Sequence, residues 1–291
     1  MNTLGVSWVT LNNGVKMPQF GLGVVFLEPG EMMRTAVGAA VDAGYRLFDN
    51  AAFYGNEAAV GDALRSTGID RKELFISTKL RNSQHRYEEA LKAFDLSMKT
   101  LGVDYLDLYL IHWPCPEYDL YREAWRALEH LYAAGYVRAI GVSNFHVPQL
   151  EAILSMCEVR PVVNQLECNP YLSIAPLRQY CQDHEIWPEA WFPLGGPAVK
   201  LKGDAPDKVL LDDPLLAAVG EKYEKTPAQI VLRWEIQSGI ITIPKSARPE
   251  RIRQNIDIFD FELSPEDMAA IDGLNYDRRV GPDPETCNDQ F

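Results

Sequence analysis

Eight times along this chain a short apolar run gives way to a longer amphipathic one, and that alternation constrains the fold more than any single motif. The runs read as a strand near 20–23 with a helix near 32–43, then strand 46–49 with helix 57–66, strand 74–79 with helix 87–101, and strand 106–112 with helix 121–134. They continue as strand 137–143 with helix 148–155, strand 162–167 with helix 176–184, strand 187–192 with helices near 214–223 and 227–238, and strand 240–244 with a helix around 250–257. Runs such as "YLDLYLIHW" and "GIITIPK" are apolar almost throughout, which indicates burial on both faces, as in a parallel sheet covered by helices. Eight such units in 291 residues predict an α/β fold, a closed (β/α)8 TIM barrel, as one domain spanning 1–291. Ahead of the first strand, "WVTLNNGVKM" places two short alternating runs around Asn12-Asn13-Gly14, so an N-terminal β-hairpin with positive φ at its Asn-Gly turn is expected. Gly44, Gly102 and Gly135 fall just past helices, where a left-handed cap suits glycine, and Pro227 follows Thr226 as a first-turn proline behind an N-cap. The stretch 195–213, rich in Gly, Pro, Lys and Asp, reads as a long loop above the barrel.

Hydrophobic residues make up 47% of the chain and charged ones 24%, a balance that supports a large core. The formal net charge of −13 repels polyanions, so neither nucleic acid nor an anionic membrane surface is an expected partner, and an anionic ligand needs a local basic site. Five cysteines without a paired spacing point to reduced thiols in the cytoplasm rather than to a disulfide framework or a zinc site, and no metal is expected. The first residues lack a basic start followed by an apolar run, and no apolar stretch approaches the roughly 18 residues of a membrane helix. "GLGVVF" lacks the third glycine of a Rossmann fingerprint, and the unit after it is wrong for one. His85, His130, His146 and His184 are expected at the surface or in loops, and "YREAWRALEHLY" shows the helical spacing of packing residues.

Active sites of such barrels form at the C-terminal ends of the strands. The segmentation puts Asp49, Lys79, His112, Ser143-Asn144, Gln165, Trp191 and Lys245-Ser246 at those ends, with Tyr54 close behind Asp49. A free phenol is a poor acid at neutral pH, but a cation within about 4–6 Å lowers its pKa by about 1–3 units. Lys79 is placed to do so, with Asp49 holding the ammonium, and His112 to orient a carbonyl that receives the proton from Tyr54. No side chain supplies a hydride, so a reduction needs a nicotinamide cofactor. "IPKSARPERIRQN" carries Lys245, Arg248, Arg251 and Arg253 against one acid, a cluster suited to a phosphorylated cofactor.

Taken together, "GYRLFDNAAFYGNE", "FISTKL", "LGVDYLDLYLIHWP", "VRAIGVSNF", "VNQLE", "AWFPLG", "IPKSARPERIRQN" and "VGPDP" resemble the aldo-keto reductases, in order, from about residue 9 to 284. Within that superfamily the short loops and the tail are similar to the group of prostaglandin F synthases of trypanosomatids and bacterial 2,5-diketo-gluconate reductases. The resemblance implies NADPH-dependent reduction of aldehydes or ketones by a tetrad matched by Asp49, Tyr54, Lys79 and His112. It implies that Ser143, Asn144 and Gln165 hold the nicotinamide carboxamide, that Trp191 stacks on the nicotinamide, and that Leu194 lines the pyrophosphate. It further implies that Lys245, Ser246 and Arg251 bind the 2′-phosphate and Asn255 the adenine. Val25, Phe53, Arg81 and Trp113 fall in the substrate pocket, with Val25 and Arg81 where many members carry Trp; Arg81 offers a charge for an acidic or polyoxygenated substrate. Asn50, Phe192, Gln254 and Asn169 depart from the usual Thr, Ser, Glu and His. The family tends to monomers acting on small carbonyl compounds. Two alternatives stay open: a cofactor-binding regulatory barrel with little turnover, and a prostaglandin endoperoxide reductase.

Overall fold

In the computed structural model, residues 5–196 and 208–291 are described. Eight parallel strands run in sequence order around a barrel: β3 (Gly21–Gly23), β4 (Leu47–Asp49), β5 (Phe75–Leu80), β6 (Leu108–Ile111), β7 (Ile140–Ser143), β8 (Val163–Glu167), β9 (Trp187–Trp191) and β10 (Ile241–Thr242). Closure is made by Phe20 pairing with Thr242, with the Thr242 N–H donating to the Gln19 carbonyl and the Gly23 N–H to that of Pro244. Gly23 is required at the seam, because a Cβ there would lie 2.9 Å from the Ile243 carbonyl oxygen.

Helices α1 (Glu31–Asp42), α2 (Glu57–Ser66), α3 (Tyr87–Leu101), α4 (Tyr121–Ala133), α5 (Val147–Leu154), α6 (Ala175–Asp183), α7 (Pro214–Tyr223), α8 (Pro227–Gln237) and α9 (Pro249–Ile256) follow the strands, each within a few residues of its expected range. A tenth, α10 (Pro265–Asp272), has no counterpart in the sequence reading; it is short and only Ile271 is buried, so its apolar periodicity is faint. Helix α3 shows why the outer ring forms: Ala90, Ala93, Phe94, Ser97 and Leu101 recur at helical spacing and are buried. Truncating Phe94 to Ala there would cost about 3–5 kcal/mol. Gly44, Gly102 and Gly135 all take positive φ beyond their helices, and Thr226 with Gln229 forms the capping box that starts α8.

The hairpin of β1 (Trp8–Thr10) and β2 (Lys16–Pro18) closes the N-terminal end of the barrel, where Val9, Leu11 and Met17 pack with Leu47, Phe75, Leu108, Val163 and Ile241. Its turn differs from expectation. Only Gly14 has positive φ; the Gly14 N–H donates to the Leu11 carbonyl and the Leu11 N–H to that of Val15, giving a three-residue loop with a glycine bulge. The two asparagines are otherwise engaged, since Asn12 Nδ2 donates to the Pro161 carbonyl and Asn13 Nδ2 to that of Arg138. Of the long loop expected over 195–213, residues 197–207 lie outside the described residues. Among the described residues no helix is long and apolar enough to cross a membrane.

Candidate active site

Strand alternation turns Leu47 and Asp49, Phe75, Ser77 and Lys79, Val163 and Gln165, and Trp187 and Glu189 to common sides, so an apolar layer at the closed end gives way to a polar one toward the open end. Charge buried there must be paired within the protein. Lys79 Nζ donates to Asp49 Oδ2 at 2.6 Å and to the Asn50 carbonyl at 2.8 Å, and both ionised side chains are almost fully buried. The other Asp49 oxygen accepts from Ser77 Oγ and from Gln165 Nε2, each at 2.9 Å. Tyr54 hangs from a 3-10 turn, Ala52–Tyr54, that directly follows β4, and its hydroxyl lies 3.5 Å from Lys79 Nζ.

Burial raises the Tyr54 phenol above its ordinary value, Lys79 pulls it down, and Asp49 and Glu189 push it up. The net lowering expected from the lysine is therefore outweighed by desolvation, and Lys79 limits the rise. Burial also works against the Lys79 ammonium, but Asp49 and Tyr54 more than offset this and keep it charged. His112 is held well below its ordinary value by burial, by Lys79 and by His85, so it is the neutral imidazole. Its Nδ1 is buried without a partner among the described residues, which leaves Nε2 as the nitrogen able to meet a substrate oxygen. Its ring stands edge-on to Tyr54, with centroids 6.0 Å apart.

The residues expected around a nicotinamide form one interlocked group. Ser143 Oγ donates to the Gln165 carbonyl, and Asn144 Nδ2 to Ser143 Oγ and the His112 carbonyl. Asn144 Oδ1 accepts from the Trp191 indole at 2.9 Å. The backbone of Asn144 has positive φ, a conformation its short amide side chain tolerates. Gln165 Nε2 is committed to two carboxyl groups, Asp49 and Glu189, so its Oε1 is the atom left for a ligand amide. The half-buried Trp191 ring is backed by Gly281, where a Cβ would lie 2.4 Å from the indole, and Glu167 pins that tail by accepting from the Val280 and Gly281 N–H groups.

At the far corner, the N-terminus of α9 carries Lys245, Arg248 and Arg251, all exposed, and the buried Ser246 and Asn255. Ser246 Oγ accepts from the Arg248 N–H. Among the described residues no acid lies within ion-pair distance of Lys245, Arg248 or Arg251, so their charge is available to a phosphate. Leu194 lines a small cavity with Gly195, Gly196 and Leu210, and sequence reasoning missed the two cations beside it, Lys208 and Arg278. A free Gln165 acceptor, a half-exposed indole and an unpaired cation cluster together fit a phosphorylated nicotinamide dinucleotide.

On the open side, Phe53 is exposed and its ring packs at a tilt against Phe291, centroids 4.0 Å apart, and Phe291 also meets His112. Trp113 is buried edge-on to Trp191, and Val25 is half-buried. Arg81 is also half-buried, and its Nη2 donates to the Ala52 carbonyl at 2.7 Å, bracing the turn that carries Tyr54. Asn169 is buried and serves its own loop, Oδ1 accepting from the Tyr171 N–H. His85, expected at the surface or in a loop, lies in the short loop before α3 but is buried there; among the described residues its Nε2 has no partner, and desolvation holds its pKa down to about 4. His130 is exposed, His146 pairs with Glu285, and His184 stacks on Tyr180. Phe291 had no signal in the sequence, because a lone terminal aromatic carries no period.

A barrel with an Asp-Lys-Tyr-His cluster at the open end of its strands defines a class of oxidoreductase. Residues 21–276 match the Aldo/keto reductase family. The chain is 50% identical over 277 residues to a glyoxal reductase of Bacillus subtilis, covering 95% of this chain and 96% of that protein. It is 44% identical over 277 residues to a 9,11-endoperoxide prostaglandin H2 reductase of Trypanosoma cruzi, covering 95% and 94%. The crystal structure of a Bombyx mori aldo-keto reductase in complex with NADP superposes with a TM-score of 0.87 at 39% identity, covering 96% of this chain and 95% of that one. The chain belongs to the aldo/keto reductase family. It is an oxidoreductase that reduces small-molecule carbonyl groups to alcohols.

Proposed function

We propose that the protein is an NADPH-dependent carbonyl reductase in which Tyr54 is the general acid. The observation that carries this reading is the Asp49–Lys79–Tyr54 chain, with a 2.6 Å ion pair at one end and a phenol 3.5 Å from the ammonium at the other. NADPH supplies the hydride. Neutral His112 donates through Nε2 to the substrate oxygen, aligning the carbonyl. As negative charge grows on that oxygen, Tyr54 gives it the phenolic proton, and the Lys79 ammonium stabilises the phenolate left behind. Asp49, fixed by Ser77 and Gln165, keeps the ammonium in place.

Gln165 Oε1, with Ser143 and Asn144, would hold the carboxamide end of the cofactor, and Trp191 would support the nicotinamide. Leu194 would border the pyrophosphate, Lys245, Ser246 and Arg251 would hold the 2′-phosphate, and Asn255 the adenine. Phe53, Trp113 and Val25 form a largely apolar substrate wall, which favours compact aldehydes and dicarbonyls; the glyoxal reductase relative supports that class. The endoperoxide reductase relative supports reduction of a prostaglandin endoperoxide as a second activity of the same site. The chain works as a monomeric single barrel, 1–291, in the cytoplasm.

The test is NADPH oxidation over a panel of aldehydes, dicarbonyls and keto sugars, with Tyr54→Phe in parallel. Turnover should fall about 10²–10⁴-fold in Tyr54→Phe while NADPH still binds. Full turnover in the variant would remove Tyr54 from its role, and a wild type that binds NADPH yet reduces nothing would favour the regulatory barrel.

A further inference from the structure

One buried acid beside the relay has no part in the chemistry above. Glu189, on β9, is fully buried, and its Oε2 accepts from Gln165 Nε2 at 3.0 Å. The same amide nitrogen donates its other hydrogen to Asp49 Oδ1 at 2.9 Å. One –NH₂ thus joins two carboxyl groups, and both of its hydrogens are used. Glu189 Oε1 has no partner among the described residues. Two like charges around a single amide in a dry interior are unfavourable, and Asp49 is the one neutralised by Lys79.

We propose that Glu189 is a positioning residue of the proton relay: through the Gln165 amide it fixes Asp49, and its own charge state sets the pH range over which Tyr54 donates a proton efficiently. The inference rests on the reading of Tyr54 as general acid. The titratable groups near Glu189 are few. Asp49 on β4, Lys79 on β5 and Tyr54 on its turn act on it or are acted on by it. On β8, Glu167 is engaged by the Val280 and Gly281 N–H groups and approached by Arg279. The neighbour across β10 is Ile241, and α6, packed against β9, offers Arg178 over the Trp234 ring and Asp183 bound by Gln179.

Burial and the adjacent Asp49 charge raise the Glu189 carboxyl to about 8, so it is the neutral acid at neutral pH. Above that pH it loses its proton to solvent and becomes a second anion beside Asp49. Its charge pushes the Tyr54 phenol higher still, which makes it a weaker acid. Reduction slows accordingly. A purely structural Glu189 would change stability, or kcat equally at every pH, but would not move this limb.

The experiment is the pH dependence of kcat for carbonyl reduction, at saturating NADPH, in wild type, Glu189→Gln and Tyr54→Phe. Gln keeps an acceptor for Gln165 and cannot ionise. The wild type should lose roughly three- to ten-fold in kcat between pH 7 and pH 9, and Glu189→Gln should retain its neutral-pH rate across that range. An unchanged fall in Glu189→Gln, with Tyr54→Phe nearly inactive, would overturn this inference alone; an active Tyr54→Phe would overturn the underlying reading. Should Glu189→Gln not fold, infrared titration of the wild type serves instead. A protonated-carboxyl band lost in step with kcat supports the inference, and no such loss between pH 7 and pH 9 refutes it.

Discussion

The catalytic rim and the basic corner at the start of α9 hold charge in opposite ways. At the rim, Lys79 and Asp49 are sealed from solvent and each polar atom is met by another protein group. At the corner, Lys245, Arg248 and Arg251 are exposed, and among the described residues no acid lies beside them. Water satisfies an exposed cation at little cost, so the corner can leave its charge free for a ligand. The interior offers no such alternative, so rim residues are committed to one another before a substrate arrives. The lesson is that the rim acts as a unit, sensitive to pH and to loss of any member, whereas the corner is additive and sensitive to salt.

Lys79→Met should break this contrast most severely. It leaves Asp49 buried beside an apolar side chain, and we expect a loss of about 3–5 kcal/mol in urea unfolding with a fall in kcat of at least about 10³-fold. A variant losing less than ten-fold in kcat would mean that the ammonium is a spectator.

The next effect concerns a buried group that avoids charge altogether. His85 is neutral in the folded protein, with a pKa of about 4 against an ordinary 6.5, so below pH 6.5 the unfolded chain binds a proton that the folded one does not. Its contribution is fully present above pH 6.5 and is lost progressively as pH falls toward 4. We expect the protein to be about 2–3 kcal/mol less stable at pH 4.5 than at pH 7 on this account, with His112 adding in the same direction. His85→Leu should reduce that loss when unfolding is followed at both pH values; an identical pH dependence would show that His85 does not titrate as a buried imidazole.

The smallest effect belongs to the corner. Arg251→Ala should weaken NADPH binding by about ten-fold, leave NADH binding nearly unchanged, and make NADPH affinity less dependent on salt. Equal weakening of both cofactors would place the arginine away from the 2′-phosphate.

How legible each region was in the sequence follows the same division. The barrel was legible because eight apolar runs with capped helices leave few other ways to bury them, and Asp49, Lys79 and Tyr54 because they stand at strand ends. Corner residues were legible as a run of cations in an acidic chain. What stayed hidden was whatever depends on contacts between distant segments. That Arg81 also braces the Ala52–Tyr54 turn, through Nη2 on the Ala52 carbonyl, could not be read from its position in the sequence. Glu189 lay inside an apolar strand with no neighbour in sequence to mark it, and its partner is 24 residues away. Phe291 reaches Phe53 and His112, both distant from it in sequence. Helix α10 was missed because a short, mostly solvated helix has little apolar pattern to show.

The most direct test of the account compares Lys79→Met with Arg251→Ala in two measurements, the Kd for NADPH and kcat at saturating NADPH. Lys79→Met should lose turnover with Kd changed by no more than a few-fold, and Arg251→Ala should lose affinity with kcat intact. If both variants lose affinity and turnover together, the rim and the corner are not the separate devices for proton transfer and cofactor capture described above.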